Sequence, residues 1–147
     1  MPPLLENKKA YFNYEILETY EAGLSLLGIE VKSLKSKNGN ISGARVLVRG
    51  EEAYIVGMDI PPYQPNNTPK SYDRERTRKI LLHKKEISHI GGKADEKGLT
   101  IVPLKVYTSG GRVKIQIAVV RGKKKFEKRD KIKKRDIERE IGRSIRG

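Results

Sequence analysis

The chain has 147 residues, no cysteine and a formal net charge of +14, which supports one domain with its own core and excludes a disulfide framework or a thiolate metal site. No apolar run approaches the ~20 residues that span a bilayer, and the N-terminus has no signal-like apolar segment, so the expected location is the cytoplasm. Such an excess of cations points to a polyanionic partner, nucleic acid first.

Residues 1–10 are polar with prolines and are expected to be loosely held. From 11 to 27 β-formers are dense (Tyr11, Phe12, Tyr14, Ile16, Leu17, Tyr20), which predicts a strand, and Gly23 inside it predicts a bulge or bend. Residues 28–34 suit either a strand or a short helical turn, and Lys37-Asn38-Gly39-Asn40 is a turn. Residues 44–49 and 53–58 flank Gly50-Glu51-Glu52 as a hairpin. Prolines at 61, 62 and 65 predict a loop over 61–69. Asp73 is placed as the N-cap of a helix over 74–82. That helix continues through 83–90, with Leu82, Glu86, Ile87 and Ile90 in register, and ends at Gly91-Gly92. Residues 98–108 and 113–120 are strands joined at Ser109-Gly110-Gly111. In the second, Val113, Ile115, Ile117 and Val119 alternate with Lys114 and Gln116. Five or six short antiparallel strands with one or two helices between them predict a mainly β fold. The expected form is an antiparallel, oligonucleotide-binding-type (OB-like) barrel with peripheral helices, a sandwich being the alternative. Residues 1–120 form this body and 121–147 a basic C-terminal tail.

Enzyme motifs are missing. His83 and His89 lie six apart and face away from each other on a helix, so they make no metal pair. A His83–Glu86 acid–base pair has no nucleophile beside it. There is no Walker loop, GxSxG or CxxC, and Asp59, Glu86 and Asp95 have no nuclease-like spacing. The chain is therefore expected to be no enzyme and to carry no cofactor or metal. Binding candidates are better marked. Arg74, Arg76, Arg78 and Lys79 put four cations into residues 73–79, and guanidinium forks match phosphate oxygens; a solvated helix face over Leu81-Leu82 is the plain alternative. Asn7, Lys8 and Lys9 stand beside Tyr11 and Phe12, a pairing of cations and rings suited to unpaired bases, although the same rings suit a core strand. Glu21 is a carboxylate in a basic body; at an RNA surface it acts only by accepting from base amino groups or holding an arginine, and otherwise it is an ordinary strand residue.

The tail, 27 residues long, holds thirteen Lys or Arg against five Asp or Glu, so +8 of the charge sits there and +6 in 1–120. It has too little apolar surface to fold alone. At about 100° per residue, Ile137, Ile141 and Ile145 form one stripe, with Lys128, Arg135, Arg139 and Arg146 about 160–200° away. Glu127–Lys131 and Asp130–Lys134 are favourable pairs, while Lys131–Arg135, Arg135–Arg139 and Asp136–Glu140 repel. Gly142 costs about 1 kcal/mol relative to alanine. This pattern predicts a coil in free solution that becomes helical when phosphates neutralise one face.

Several segments, in order and spanning nearly the whole chain, resemble the bacterial SsrA-binding protein (small protein B) family. They are Asn7-Lys8-Lys9-Ala10-Tyr11, Glu21-Ala22-Gly23-Leu24, Gly28-Ile29-Glu30-Val31-Lys32-Ser33-Leu34, Arg76-Thr77-Arg78-Lys79-Ile80-Leu81-Leu82, Glu96-Lys97-Gly98-Leu99-Thr100-Ile101-Val102-Pro103-Leu104 and Arg121-Gly122-Lys123-Lys124-Lys125. The resemblance is weakest over 50–71. It implies the same OB-like barrel, binding to the tRNA-like domain of transfer-messenger RNA, and delivery of that RNA to stalled ribosomes for trans-translation.

The resemblance carries RNA contacts onto Asn7, Glu21, Leu81 and Lys114. Asn7 would hydrogen-bond RNA, Glu21 accept from a base or an arginine, Leu81 support the surface and Lys114 neutralise phosphate. Lys8, Lys9, Arg76, Arg78, Lys79, Lys123 and Lys124 join them as candidate RNA-binding cations. The family's Asp-Lys-Arg ribosome sensor appears here as Glu127-Lys128-Arg129, which keeps the charge and lengthens one arm. Phe126 before it would stack on an rRNA base. With Lys131, Arg135, Ile137, Arg139 and Ile141 these residues form the tail that would sense an empty mRNA channel. The implied partners are transfer-messenger RNA and the ribosome, through rRNA of the decoding region and the mRNA channel. No membrane partner is expected, since the isoleucine stripe is narrow and lacks tryptophan, and the chain is expected to be a monomer. A constitutive rRNA-binding ribosomal protein suits the composition equally well, and copy number per ribosome separates the two.

Overall fold

A computed structural model of the chain describes residues 3–123. The elements run β1 (Leu5–Glu6), α1 (Lys8–Asn13), β2 (Tyr14–Leu24), α2 (Gly28–Lys35), β3 (Arg45–Arg49), β4 (Glu52–Val56), a 3-10 turn (Pro65–Asn67), β5 (Arg78–Leu81), α3 (Lys84–Ala94), β6 (Leu99–Ser109) and β7 (Arg112–Gly122). The strands form one antiparallel sheet in the order β1-β6-β7-β2-β5-β4-β3. The mainly β architecture with peripheral helices is as expected, but the sheet is not closed: β3 curls back against β6 without a ladder between them. The core is built from β-branched residues of the inner faces, among them Ile55, Ile80, Ile101, Ile115 and Ile117, with Leu34 from α2 and Ile90 from α3. Such side chains pack well on a pleated surface and dominate the stabilising burial.

Both strands of the β6–β7 hairpin form where expected, and β7 follows the expected alternation, with Val113, Ile115, Ile117 and Val119 inward. Gly110 and Gly111 supply two successive positive φ angles, 60° and 76°, which a turn matching the twist of its flanking strands requires. β7 continues to Gly122, so Arg121 and Gly122 belong to the sheet, paired with Glu15 and Tyr14 of β2. The hairpin over β3 and β4 and the loop after it also match the sequence expectation.

Four local expectations are corrected. Tyr11 and Phe12 lie in α1, not in a strand, because the chain turns at Asn7 to lay Ala10 on Val102, Leu104, Ala118 and Val120; tertiary burial outweighs the β propensity of the rings. The β2 bulge falls between Ile16 and Glu18, while Gly23 pairs regularly. The predicted helix over 74–82 does not form. The Asp73 carboxylate accepts the Glu75 amide proton at 2.9 Å in a local turn, and 78–81 is a strand with Arg78 and Ile80 inward and Lys79 and Leu81 outward. Finally, Gly91-Gly92 does not end α3, which runs to Ala94. A Cβ on Gly91 would stand 3.2 Å from Val48 Cγ1, so this glycine serves close packing.

Glu30, fully buried in the first turn of α2, joins these parts. Its carboxylate accepts the Leu27 amide proton (2.8 Å), Nη2 and Nε of Arg76 (2.5 and 3.1 Å) and Nη2 and Nε of Arg78 (2.5 and 2.8 Å). Arg78 is equally buried. Its remaining protons go to the carbonyls of Met58 (2.7 Å), Arg76 (3.1 Å) and Arg74 (3.0 Å). All five guanidinium donors are satisfied, the condition under which a buried charge is tolerated. Burial alone would raise the Glu30 pKa. The Arg76 bond, the Leu27 amide and Arg78 outweigh it and bring the pKa from 4.5 down to about 2.

A depressed carboxylate pKa contributes stability that is present above the unfolded value and disappears as pH falls through the folded value. The Glu30 contribution is thus complete at neutral pH and is lost as pH drops from about 4.5 to about 2. Glu30→Gln leaves Arg78 buried and uncompensated. Urea unfolding at pH 7 should show it destabilised by about 3–5 kcal/mol, and its stability should lack the acid-sensitive leg over that range.

Candidate nucleic-acid interface

The outer face of β2, β7 and β6 is divided in two. Next to α1 it is apolar and covered: Ala10 sits on Val102, Leu104, Ala118 and Val120, with Tyr14 and Ile16 at the margin. Beyond α1 no described helix covers the face. There the register aligns Leu81, Gly23, Lys114 and Tyr107 across β5, β2, β7 and β6. The next row along the strands is Glu21, Gln116 and Lys105.

Each position has a local cause. Leu81 points outward because Arg78 and Ile80 point inward, and it is 51% exposed, far from the usual state of a leucine. It rests on Gly23, where a Cβ would lie 3.3 Å from Leu81 Cβ. Lys114 and Gln116 take the outward turn of an alternation whose inward members are Val113, Ile115 and Ile117. Tyr107 and Lys105 face outward only because β6 bulges between Pro103 and Lys105, which shifts the parity of the second half of the strand. Proline cannot donate to the ladder, so the irregularity falls beside it.

Glu21, Gly23, Leu81, Leu82, His83 and Lys114 line an open groove of about 410 Å³. A second groove of about 460 Å³ shares Gly23, Leu81 and Lys114 and extends to Val31 and Arg112. Tyr107 is held as a neutral phenol: burial, then the influence of the Glu21 carboxylate, push its pKa to about 12. Lys105 Nζ lies 5.5 Å from the centre of its ring. Among the described residues no cluster of His, Cys, Asp or Glu is arranged to hold a metal. The face therefore offers an acceptor, a cation and an exposed apolar side chain within one groove. That set suits the amino edge of a base, a phosphate and the flat face of a sugar or base.

The other candidates lie elsewhere. Asn7 is buried, its amide donating to the Pro103 carbonyl at 2.9 Å. It borders a separate polar groove of about 650 Å³ with Lys9, Asn13, Asn40, Arg45 and Thr100. Lys8 and Lys9 are exposed on α1, and Lys123 is held at its end, with Nζ 3.3 Å from the Tyr11 carbonyl oxygen and its amide on Asn13. Lys79 is exposed but paired with Glu52 at 3.0 Å. Arg78 as an RNA-contact candidate is corrected: it is inside the protein and its donors are taken by Glu30 and three carbonyls. Arg76 spends its fork on Glu30 as well. Glu86 accepts from the His83 backbone amide at 3.2 Å, and His89 bonds Glu18, so neither histidine joins an acid–base pair with Glu86. Lys124, Phe126, Glu127, Lys128, Arg129, Lys131, Arg135, Ile137, Arg139 and Ile141 lie outside the described residues, as does the predicted coil-to-helix transition.

Sequence reasoning missed Lys105, Tyr107 and Gln116 as members of this face. The β7 alternation already placed Gln116 beside Lys114. Nothing in a plain period of two reveals Lys105 and Tyr107, because the bulge reverses their side.

The SmpB protein family model matches residues 4–147. The chain is 50% identical over 141 residues to the SsrA-binding protein of Persephonella marina, covering 96% of this chain and 92% of that one. It is 46% identical over 147 residues to the SsrA-binding protein of Thermosipho africanus, covering 99% and 98%. A solved structure described as "tmRNA-SmpB: a journey to the center of the bacterial ribosome" superposes with a TM-score of 0.70 at 43% identity, covering 84% of this chain and 87% of that chain.

If Lys114 meets a phosphate, Lys114→Gln should lower the slope of log affinity against log salt for single-stranded RNA by about one. Filter binding across a salt series measures this; an unchanged slope removes Lys114 from the phosphate contacts.

Proposed function

The chain belongs to the SmpB protein family, and from that premise we propose that it binds the tRNA-like domain of transfer-messenger RNA and delivers that RNA to stalled ribosomes for trans-translation. The observation that carries this reading is the near full-length match to SsrA-binding proteins, together with the gathering of Glu21, Leu81 and Lys114 in one groove. The geometry gives each residue a task. Lys114, half-buried and fixed by the β7 register, neutralises a phosphate. Leu81, perched on Gly23, presents apolar surface to a sugar or base, and Glu21 accepts from a base amino group. None of these acts involves bond chemistry: the protein works by binding, without a cofactor, as a monomer in the cytoplasm.

The tail serves the second partner. Its +8 charge, its isoleucine stripe and Glu127-Lys128-Arg129 after Phe126 suit an RNA-walled channel that is free of message. It takes up helix there as phosphates relieve its self-repulsion. The body binds one RNA and the tail tests for the absence of another, so tagging begins on empty ribosomes only.

Removing residues 124–147 separates the two tasks. The truncated protein should keep most of its affinity for transfer-messenger RNA in a gel-shift titration, and it should fail to support tagging of nascent chains on stalled ribosomes. Normal tagging by the truncated protein would contradict the sensor role.

A further inference from the structure

The two grooves that meet at Lys114 differ in charge. The arm toward α3 carries two carboxylates, Glu21 and Glu86, beside Lys114 and His83. The arm toward α2 carries Arg112 and Lys114 and no carboxylate, over a floor of Leu24, Leu26 and Val31, all half-buried. Arg112 and Lys114 stand two apart on β7, on one side of the strand because Val113 between them points inward. The Gly110-Gly111 turn fixes the backbone at Arg112, which pairs with Ser109. About 7 Å of strand separates the two cations, the scale of one nucleotide step along an RNA backbone. The arginines at 74, 76 and 78 are engaged by Asp59 or Glu30. Among the described residues the arginine that lines this groove is Arg112, which is exposed, and no ion pair engages it or Lys114.

Two unpaired cations held this close repel each other, and a run of phosphates relieves both. We propose that Arg112 takes the phosphate next to the one on Lys114, so that the bound RNA strand runs along β7 toward the Gly110-Gly111 turn. A guanidinium fork meets two phosphate oxygens at once, whereas the Lys114 ammonium acts as a point charge. The nucleotide between the two phosphates lies over Leu24, Leu26 and Val31, whose side chains accept the apolar face of a sugar or base and offer it no hydrogen bond. The direction of the strand follows from charge: Glu21 and Glu86 repel the backbone from the α3 arm and leave that arm to base edges. This rests on the proposed binding of transfer-messenger RNA and adds to it a contact residue outside the family-derived set and a direction for the strand.

The test is transfer-messenger RNA binding by the full chain across a salt series. It compares wild-type protein, Arg112→Gln, Lys114→Gln, the double variant and, from the exposed start of α3 at the other end of the groove, Lys84→Gln. Arg112→Gln should lower the slope of log affinity against log salt by about one and the double variant by about two, because each cation displaces its own counterion. Arg112→Lys and Lys84→Gln should keep the wild-type slope. An unchanged slope in Arg112→Gln, a double variant with the slope of Lys114→Gln, or a loss in Lys84→Gln in place of Arg112→Gln overturns the proposal. A second measurement locates the contacts. Ethylation of either of two successive phosphates should block wild-type binding, with Arg112→Gln indifferent to one and Lys114→Gln to its neighbour. Blocked positions that are not successive overturn the proposal as well. Failure of the wild-type protein to bind transfer-messenger RNA is a separate result, seen before any variant is compared, and it overturns the functional reading itself.

Discussion

A buried carboxylate is tolerated only with its charge and its lone pairs answered, and Glu30 has both. Arg76 and Arg78 supply the charge, and their forks with the Leu27 amide supply the hydrogen bonds. The consequences spread outward. α2 is tied to β5, and the Tyr72 hydroxyl, 3.1 Å from Glu30 and 2.8 Å from the Ile60 carbonyl oxygen, draws the long loop into the same cluster. Arg78 must point inward, so Leu81, three residues on, must point outward. A slip of one residue in β5 would bury Leu81 and expose the arginine. The exposed leucine of the candidate interface is thus a result of the buried glutamate.

The same economy divides the outer sheet face. α1 covers the part where Ala118 and Val120 have left small and apolar ground, and it stops where Lys114, Gln116 and Glu21 begin. The break coincides with the β6 bulge beside Pro103. Leu104 keeps the α1 side of Val102, the Pro103 carbonyl accepts from Asn7, and the bulge brings Lys105 and Tyr107 to the open side. One irregularity therefore lies beside the anchor of the N-terminal segment and completes the groove-bearing face. Asn7, though beside a different groove, is joined to that face through this strand rather than through a shared ligand pocket.

Much of this was legible beforehand. The β7 period of two, the Gly110-Gly111 turn and the hairpin over β3 and β4 are signals of local chemistry, and they appear where local chemistry placed them. The lapses share one cause. The cations of 74–79 fit an amphipathic helix until Glu30, over forty residues earlier, claims two of them for the interior. Gly23 and Gly91 look like breaks in a local pattern, yet each is a gap cut for a side chain on another element, Leu81 in one case and Val48 in the other. Tyr11 and Phe12 have strand propensity, but a strand there would leave Ala118 and Val120 uncovered.

What the amino-acid sequence determined by itself is the class of protein: a basic, mainly β body with a tail of still higher charge, built to meet polyanions. Charge, turn residues and alternation are local or additive properties, so they survive being read along a line. What only the tertiary structure decided is which charges remain available. Arg78 is withdrawn by Glu30, Lys79 is engaged by Glu52, and Lys114 stays at the surface beside Glu21 and Tyr107. Those assignments depend on pairings between residues far apart in the chain and on a one-residue bulge, and neither has a signature in the order of the residues alone.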